Sequence, residues 1–107
     1  MFPLKILIDM PKKPISPAVS HLKEFIENEG LKITDVASSL AISKAYLSNV
    51  LNGWQPLTKE LCCRLESWSG MRASFWWQLD SEFHLELYKE QFLTDHKNDS
   101  IQPLSVA

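Results

Sequence analysis

A short segment of the chain, residues 43–49, carries side chains of the types that contact nucleic acid. Lys44 can donate to O6 and N7 of guanine, and Asn49 can pair with N6 and N7 of adenine. Ala45 can contact a thymine methyl group, while Ser43, as a helix N-cap, can approach a phosphate together with free backbone N–H groups. If the segment is helical, its chemistry is recognition of a DNA sequence rather than catalysis.

The other reactive residues do not form a catalytic or metal-binding pattern. Cys62 and Cys63 are adjacent, which fits neither the usual disulfide geometry nor a common zinc motif. His84 lies between Glu82 and Glu86, but on a helical wheel these glutamates point away from it. No glycine-rich phosphate loop or nucleophile motif occurs. We therefore expect a protein that is not an enzyme and has no metal or organic cofactor.

Composition and charge are those of a single cytoplasmic domain. The chain has 107 residues, 45% of them hydrophobic and 22% charged, and it lacks a membrane-spanning run or a signal-peptide pattern. The formal net charge is −2, but residues 1–55 hold six basic and five acidic residues, whereas residues 56–107 hold five and eight. An anionic ligand is therefore expected at the first half, and a protein partner at the second.

The pattern of apolar residues predicts an all-α domain of five helices over residues 16–95. Ser16, Ser43 and Thr58 are expected to cap the first, third and fourth helices, and the last helix is the longest. Prolines make residues 1–15 an arm that is either flexible or a single strand. Residues 96–107 form a tail, either loose or a short strand in a dimer.

Residues 32–53, KITDVASSLAISKAYLSNVLNG, resemble the helix-turn-helix of the Cro/repressor superfamily, with the helix-turn-helix itself at 33–52. The wider match, over residues 14–90, resembles the HigA-type (VapI-like) antitoxins, in which a Phe-Trp pair such as Phe75-Trp76 opens a long final helix. Two residues depart from the pattern. Ile33 replaces a glutamine that often contacts phosphate, and Ala41 replaces the common turn glycine, so the turn must avoid the left-handed conformation or be strained.

The resemblance implies a repressor that binds double-stranded operator DNA, controls its own toxin-antitoxin operon and neutralises a RelE/HigB-like toxin by direct binding. One alternative is a stand-alone helix-turn-helix regulator; another is a protein-interaction module without DNA binding, favoured by Ile33 and the low positive charge. The DNA-binding residues are expected to lie on the recognition helix and next to it: Ser43, Lys44, Ala45, Tyr46, Ser48, Asn49, Lys32 and Gln55.

The last helix is predicted to be apolar on two sides. Its inner side comprises Phe75, Trp76, Leu79, Phe83 and Leu87, and its outer side comprises Trp77, Leu85, Tyr88 and Phe92. One small domain cannot cover both sides, so we expect the outer side to form a homodimer interface, as binding to a palindromic operator requires. The toxin is the other candidate partner for this side, with the row Glu82, Glu86 and Glu90 facing a basic surface. Alternatively, Trp77 packs on the fourth helix and Phe92 lies under the C-terminal segment.

Overall fold

The computed structural model describes residues 13–104, and the chain folds there into five α-helices without a strand. The predicted all-α architecture is confirmed. Most of the predicted arm, residues 1–12, and the last three residues of the tail lie outside the described residues. No described helix has the length and hydropathy needed to cross a membrane. The helices are α1 Pro17–Asn28, α2 Ile33–Ser39, α3 Lys44–Leu51, α4 Lys59–Ser69 and α5 Ala73–Asp95.

Three helices begin at the predicted N-caps. The hydroxyl of Ser16 accepts from the backbone N–H of Val19, and that of Ser43 accepts from Tyr46 N–H at 3.0 Å. Thr58 caps α4 in the same way. Each cap satisfies a backbone donor that the helix itself leaves unpaired, so these starting points are fixed by local sequence.

The core lies where the first half of α5 packs against α1 and α4, and it continues through α3 to α2. Trp76 is the largest fully buried side chain. The core residues are Ala18, Val19, Leu22, Ile26, Val36, Ala37, Leu40, Leu47, Val50, Leu51, Leu57, Leu61, Cys62, Leu65 and Trp76.

Two apolar residues that helical spacing predicts to be buried are exposed in the structure. Phe25, expected on the buried stripe of α1, is 41% exposed, and its ring packs edge-on against the half-buried Trp68 at the rim of the core. Leu87, expected on the inner side of α5, is 39% exposed. At 23 residues α5 is about 34 Å long, and residues from Leu85 onward are largely exposed because the helix continues past the other four.

A buried carboxylate holds three parts of the chain together. Asp80 of α5 is 2% exposed; its Oδ1 accepts from the Ser16 hydroxyl at 2.6 Å and its Oδ2 from the backbone N–H of Leu57 at 2.8 Å. His84 Nε2 lies 3.5 Å from Oδ1. Asp80 therefore attaches both the N-cap of α1 and the residue before the N-cap of α4 to the same turn of α5.

Two side-chain-to-backbone hydrogen bonds connect α4 to the end of α2 and to the start of α5. Arg64 donates from Nη1 to the carbonyl of Leu40, the C-cap residue of α2, at 3.1 Å, and pairs with Glu60 one turn away. Glu66 Oε1 accepts from the backbone N–H of Ala73 at 2.8 Å, at the start of α5. This bond substitutes for a local cap, which Arg72 does not provide.

The turn after α2 contains the one residue other than glycine with a positive φ among residues 13–104. Ala41 adopts φ +58°, in the left-handed region. The turn therefore has the conformation that glycine favours. Of the two alternatives that the sequence left open, a turn that avoids the left-handed region and a strained turn, the structure shows the strained one. The left-handed conformation costs an L-residue about 1–2 kcal/mol.

Replacing Asp80 should lower the free energy of unfolding in proportion to the hydrogen bonds lost. Asp80→Ala leaves the Ser16 hydroxyl and the Leu57 N–H buried without an acceptor, which costs about 3–4 kcal/mol in total. Asp80→Asn should cost only about 1–2 kcal/mol, because its carbonyl can accept from Leu57 while its amide donates to Ser16. Urea denaturation followed by circular dichroism measures both values. Equal stability of Asp80→Ala and the wild type would contradict this role.

Ala41→Gly should raise the free energy of unfolding by about 0.5–1 kcal/mol. Glycine removes the left-handed strain, and this gain exceeds the added flexibility of the unfolded chain. The matched control is Ala45→Gly within α3, where the same substitution should instead destabilise by about 1 kcal/mol. Thermal melting of the two variants would refute the strained turn if both were destabilised alike.

Candidate nucleic-acid interface

The predicted helix-turn-helix consists of α2, a four-residue connection and α3. Val36 and Ala37 of α2 are buried at the helix contact, and the backbone N–H of Ile42 donates to the Ala37 carbonyl at 3.0 Å. Ile42 itself is half-buried against the core. The small side chain of Ala37 allows α2 and α3 to pack against each other, and Ile42 fills the space under the turn.

The α3 helix has one buried face and one exposed face. Leu47 and Val50 are fully buried and hold the helix on the core. Lys44, Ala45 and Asn49 are exposed on the other face, at the positions where the sequence analysis placed the DNA contacts. The helix contains a lysine and no acidic residue, so this face presents positive charge and hydrogen-bonding groups.

The remaining predicted contact residues surround this face at different depths. Ser43 is exposed and Ser48 is half-buried, while Lys32 and Gln55 are exposed at the start of α2 and in the loop after α3. Tyr46 is half-buried; its side chain packs against the core and lines a small cavity of about 100 Å³ between α3 and α4. Its ring therefore belongs partly to the core.

Ile33, one of the two residues that depart from the helix-turn-helix pattern, has a structural role. Its side chain is half-buried, packs against the core and lines a small cleft of about 70 Å³ with Ile26 and Leu51. An apolar side chain at this position thus contributes to the contact of α1, α2 and α3. Ile33 therefore belongs to the packing of α2 and is not part of the exposed face of α3.

Cys62 and Cys63 are adjacent in the chain but differ in exposure, with Cys62 buried. Burial, helped by the negative charges of Asp80 and Cys63, raises the pKa of the Cys62 thiol to about 11, so this thiol stays protonated at neutral pH. Cys63 is exposed. Among the described residues no three potential ligands lie close enough to hold a metal ion. The carboxylate next to His84 is Asp80, four residues earlier, rather than Glu82 or Glu86.

The outer side of α5 is largely exposed along its length. Leu85 and Tyr88 are 55% and 57% exposed, and Phe92 is half-buried with its ring 4.6 Å from that of His96. Trp77 is 39% exposed and lies over an apolar depression between α4 and α5, with Lys59 Nζ 5.7 Å from its ring. Trp77 thus packs partly on α4, and all four apolar side chains on this side of α5 keep some exposure; we call them the α5 outer face: Trp77, Leu85, Tyr88 and Phe92.

Sequence reasoning missed Asp80 and Arg64, the two polar residues that position the elements around α3. Asp80 was not singled out by the sequence analysis among the charged residues of the last helix. Its one signal was that it lies next to Leu87 on the helical wheel, at the edge of the side predicted to be buried. A buried charge requires a partner, but a single sequence does not say which.

Comparison with known proteins places the chain among transcriptional regulators. An uncharacterized HTH-type transcriptional regulator from Haemophilus influenzae is 30% identical over 76 residues, which cover 71% of this chain and 71% of that protein. No family model matches the chain.

Solved structures share the fold at lower identity. The antitoxin HigA of Pseudomonas aeruginosa, solved with the higBA promoter, has a TM-score of 0.75 and 22% identity, covering 87% of this chain and all of that one. A HigA-family antidote protein from Coxiella burnetii gives 0.72 and 21%, covering 86% and 99% of the two chains. A hypothetical protein from E. coli gives 0.73 and 26%, covering 86% and 94%. The chain belongs to the HTH-type transcriptional regulators and has the fold of the HigA-family antitoxins.

Proposed function

We propose that this protein is a sequence-specific DNA-binding repressor of its own operon, with α3 as the recognition helix. The observation that carries the proposal is the exposed face of α3, where Lys44 and Asn49 lie on a helix that contains no acidic residue and is fixed by Leu47 and Val50. Rigid placement of base-contacting side chains is what readout of the major groove requires. The Pseudomonas protein, which shares the fold, was solved with promoter DNA and supports this assignment.

The repressor is also proposed to act as an antitoxin that binds a RelE/HigB-like toxin. The support is the fold shared with two antitoxins of the HigA family. The row Glu82, Glu86 and Glu90 on α5 is exposed and suits a basic partner. A gene for a small basic protein beside this one, whose product co-purifies with the chain, would separate an antitoxin from a stand-alone regulator.

The protein is further proposed to be a homodimer assembled through the α5 outer face. An exposed apolar surface that one domain does not cover is typical of an interface. Two-fold symmetry places two copies of α3 on the two half-sites of a palindromic operator. Dimerisation thereby links operator affinity to residues far from the DNA.

The double variant Lys44→Ala with Asn49→Ala should lose specific operator binding while remaining folded. Each lost base contact costs about 1–3 kcal/mol, so the specific complex should no longer exceed non-specific binding. A gel shift with the promoter of the protein's own gene, against a shuffled duplex, measures this. Thermal melting should be unchanged, because both side chains are exposed.

The matched control is Lys97→Ala with Asn98→Ala, which removes the same residue types from exposed positions beyond the end of α5. This control should bind the promoter like the wild type. If the α3 variant keeps its affinity and sequence preference, Lys44 and Asn49 are not in the site. If the wild type does not shift the promoter, the protein is not an autoregulator.

Trp77→Glu with Tyr88→Glu should give a folded monomer whose operator affinity is at least roughly tenfold lower. Two buried carboxylates at an apolar interface cost more than the interface can offset, whereas each is solvated in the monomer. Trp77→Phe with Tyr88→Phe keeps the surface apolar and should stay dimeric. Analytical ultracentrifugation at micromolar concentration measures the oligomeric state of each protein, and a monomeric wild type would exclude the dimer.

A further inference from the structure

The segment that enters α1 is attached to the C-terminal end of α3. The backbone N–H of Lys13 donates to the carbonyl of Asn52, the C-cap residue of α3, at 3.2 Å. The carbonyl that accepts this bond is one that the end of a helix leaves without an internal partner. Residues 13 and 14 therefore lie beside the recognition helix although they precede it by some 30 positions.

Gly53 makes this close approach possible. It has φ +81°, and a Cβ atom built on it would lie 2.6 Å from the Lys13 carbonyl oxygen and 2.8 Å from that of Pro14. Both neighbours are backbone atoms that cannot rotate away. The glycine after α3 thus serves two purposes: it ends the helix, and it leaves room for the segment that passes over it.

The side chain of Lys13 is held at the surface by an aromatic ring. Its Nζ lies 5.0 Å from the centroid of Trp54, which is 45% exposed in the loop that also carries Gln55. A cation over the face of an indole is attracted to it, and at an exposed site the ammonium stays accessible to a second partner. Lys13 makes no ion pair with any of residues 13–104.

We propose that Lys13 is part of the DNA interface and contacts a phosphate at the end of α3 opposite to Ser43; the proposal rests on the DNA binding proposed above. With eight residues, α3 is about 12 Å long, and the major groove in which a recognition helix lies is about 12 Å wide and bordered on both sides by sugar-phosphate backbone. A lysine side chain at an end of the helix is long enough to reach one of these backbones. Trp54 is the positioning residue, because its ring holds the ammonium next to the recognition helix.

A phosphate contact has a signature that a structural lysine lacks. Each neutralised phosphate releases condensed counterions, and the slope of log affinity against log salt concentration changes by about 0.9 per contact. The contribution is independent of base sequence, so Lys13 should matter equally for operator and random DNA. This separates it from Lys44 and Asn49, which are proposed to read bases.

The test uses Lys13→Gln in the full chain and a fluorescein-labelled duplex of random sequence. Fluorescence anisotropy titrations between about 50 and 200 mM salt measure the slope of log affinity against log salt concentration. Relative to the wild type, Lys13→Gln should reduce the magnitude of this slope by about 1 for each protomer bound, and should lower the affinity roughly fivefold per protomer near physiological salt. Lys13→Arg should restore both values. Trp54→Ala should give an intermediate loss with the slope shifted in the same direction.

The matched control is Lys97→Gln, which removes one exposed charge beyond the end of α5 and should leave the slope unchanged. An unchanged slope for Lys13→Gln, while the wild type binds, would overturn the inference and leave the proposed function intact. An equal loss in Lys13→Gln and Lys97→Gln would also overturn it, since the effect would then be one of net charge. A wild type that binds neither this duplex nor the promoter of its own gene would overturn the proposed function itself.

Discussion

The structure depends on one buried carboxylate. Asp80 accepts hydrogen bonds from Ser16 and Leu57, which precede α1 and α4, so three helices are joined at one turn of α5. A buried carboxylate is costly unless its oxygens are satisfied, and satisfying them allows few arrangements of the surrounding chain. Ser16 is used twice, because the hydroxyl that donates to Asp80 also caps α1. The burial of Trp76 one turn earlier supplies apolar contact around the same point, and the two effects together define how α5 sits on the domain.

The helix-turn-helix formed by α2 and α3 is held in place by contacts with the rest of the domain. Its two helices are short, and isolated helices of this length are marginal in water. Leu47 and Val50 attach α3 to the core, Arg64 of α4 binds the end of α2, and the backbone of Lys13 binds the end of α3. These external contacts offset the strain of Ala41 in the turn. The exposed face of α3 can therefore differ in sequence without loss of the scaffold, which suits the proposed readout of an operator by a few side chains.

A single helix links folding to the proposed assembly. The first half of α5 supplies Trp76 and Asp80 to the core, whereas the second half extends past the other helices with Leu85 and Tyr88 exposed. Because a helix transmits position rigidly along its axis, a partner on the second half has a fixed orientation relative to α3. Acidic residues on α5 and the lysine of α3 keep the proposed protein-binding and DNA-binding surfaces electrostatically distinct.

The sequence by itself determined the five helices, their caps at Ser16, Ser43 and Thr58, and the helix-turn-helix with its buried and exposed faces. These features arise from interactions between residues three or four positions apart, which a linear pattern records directly. The tertiary structure alone decided the partners of Asp80, the bond from Arg64 to Leu40 and the close approach of Lys13 to Gly53. It also decided that Phe25 and Leu87 are exposed, since a wheel gives the direction of a side chain but not the extent of the surface it meets. Asp80 and Ser16 are 64 positions apart, and no local pattern records a contact over that separation because it exists only once the helices have packed.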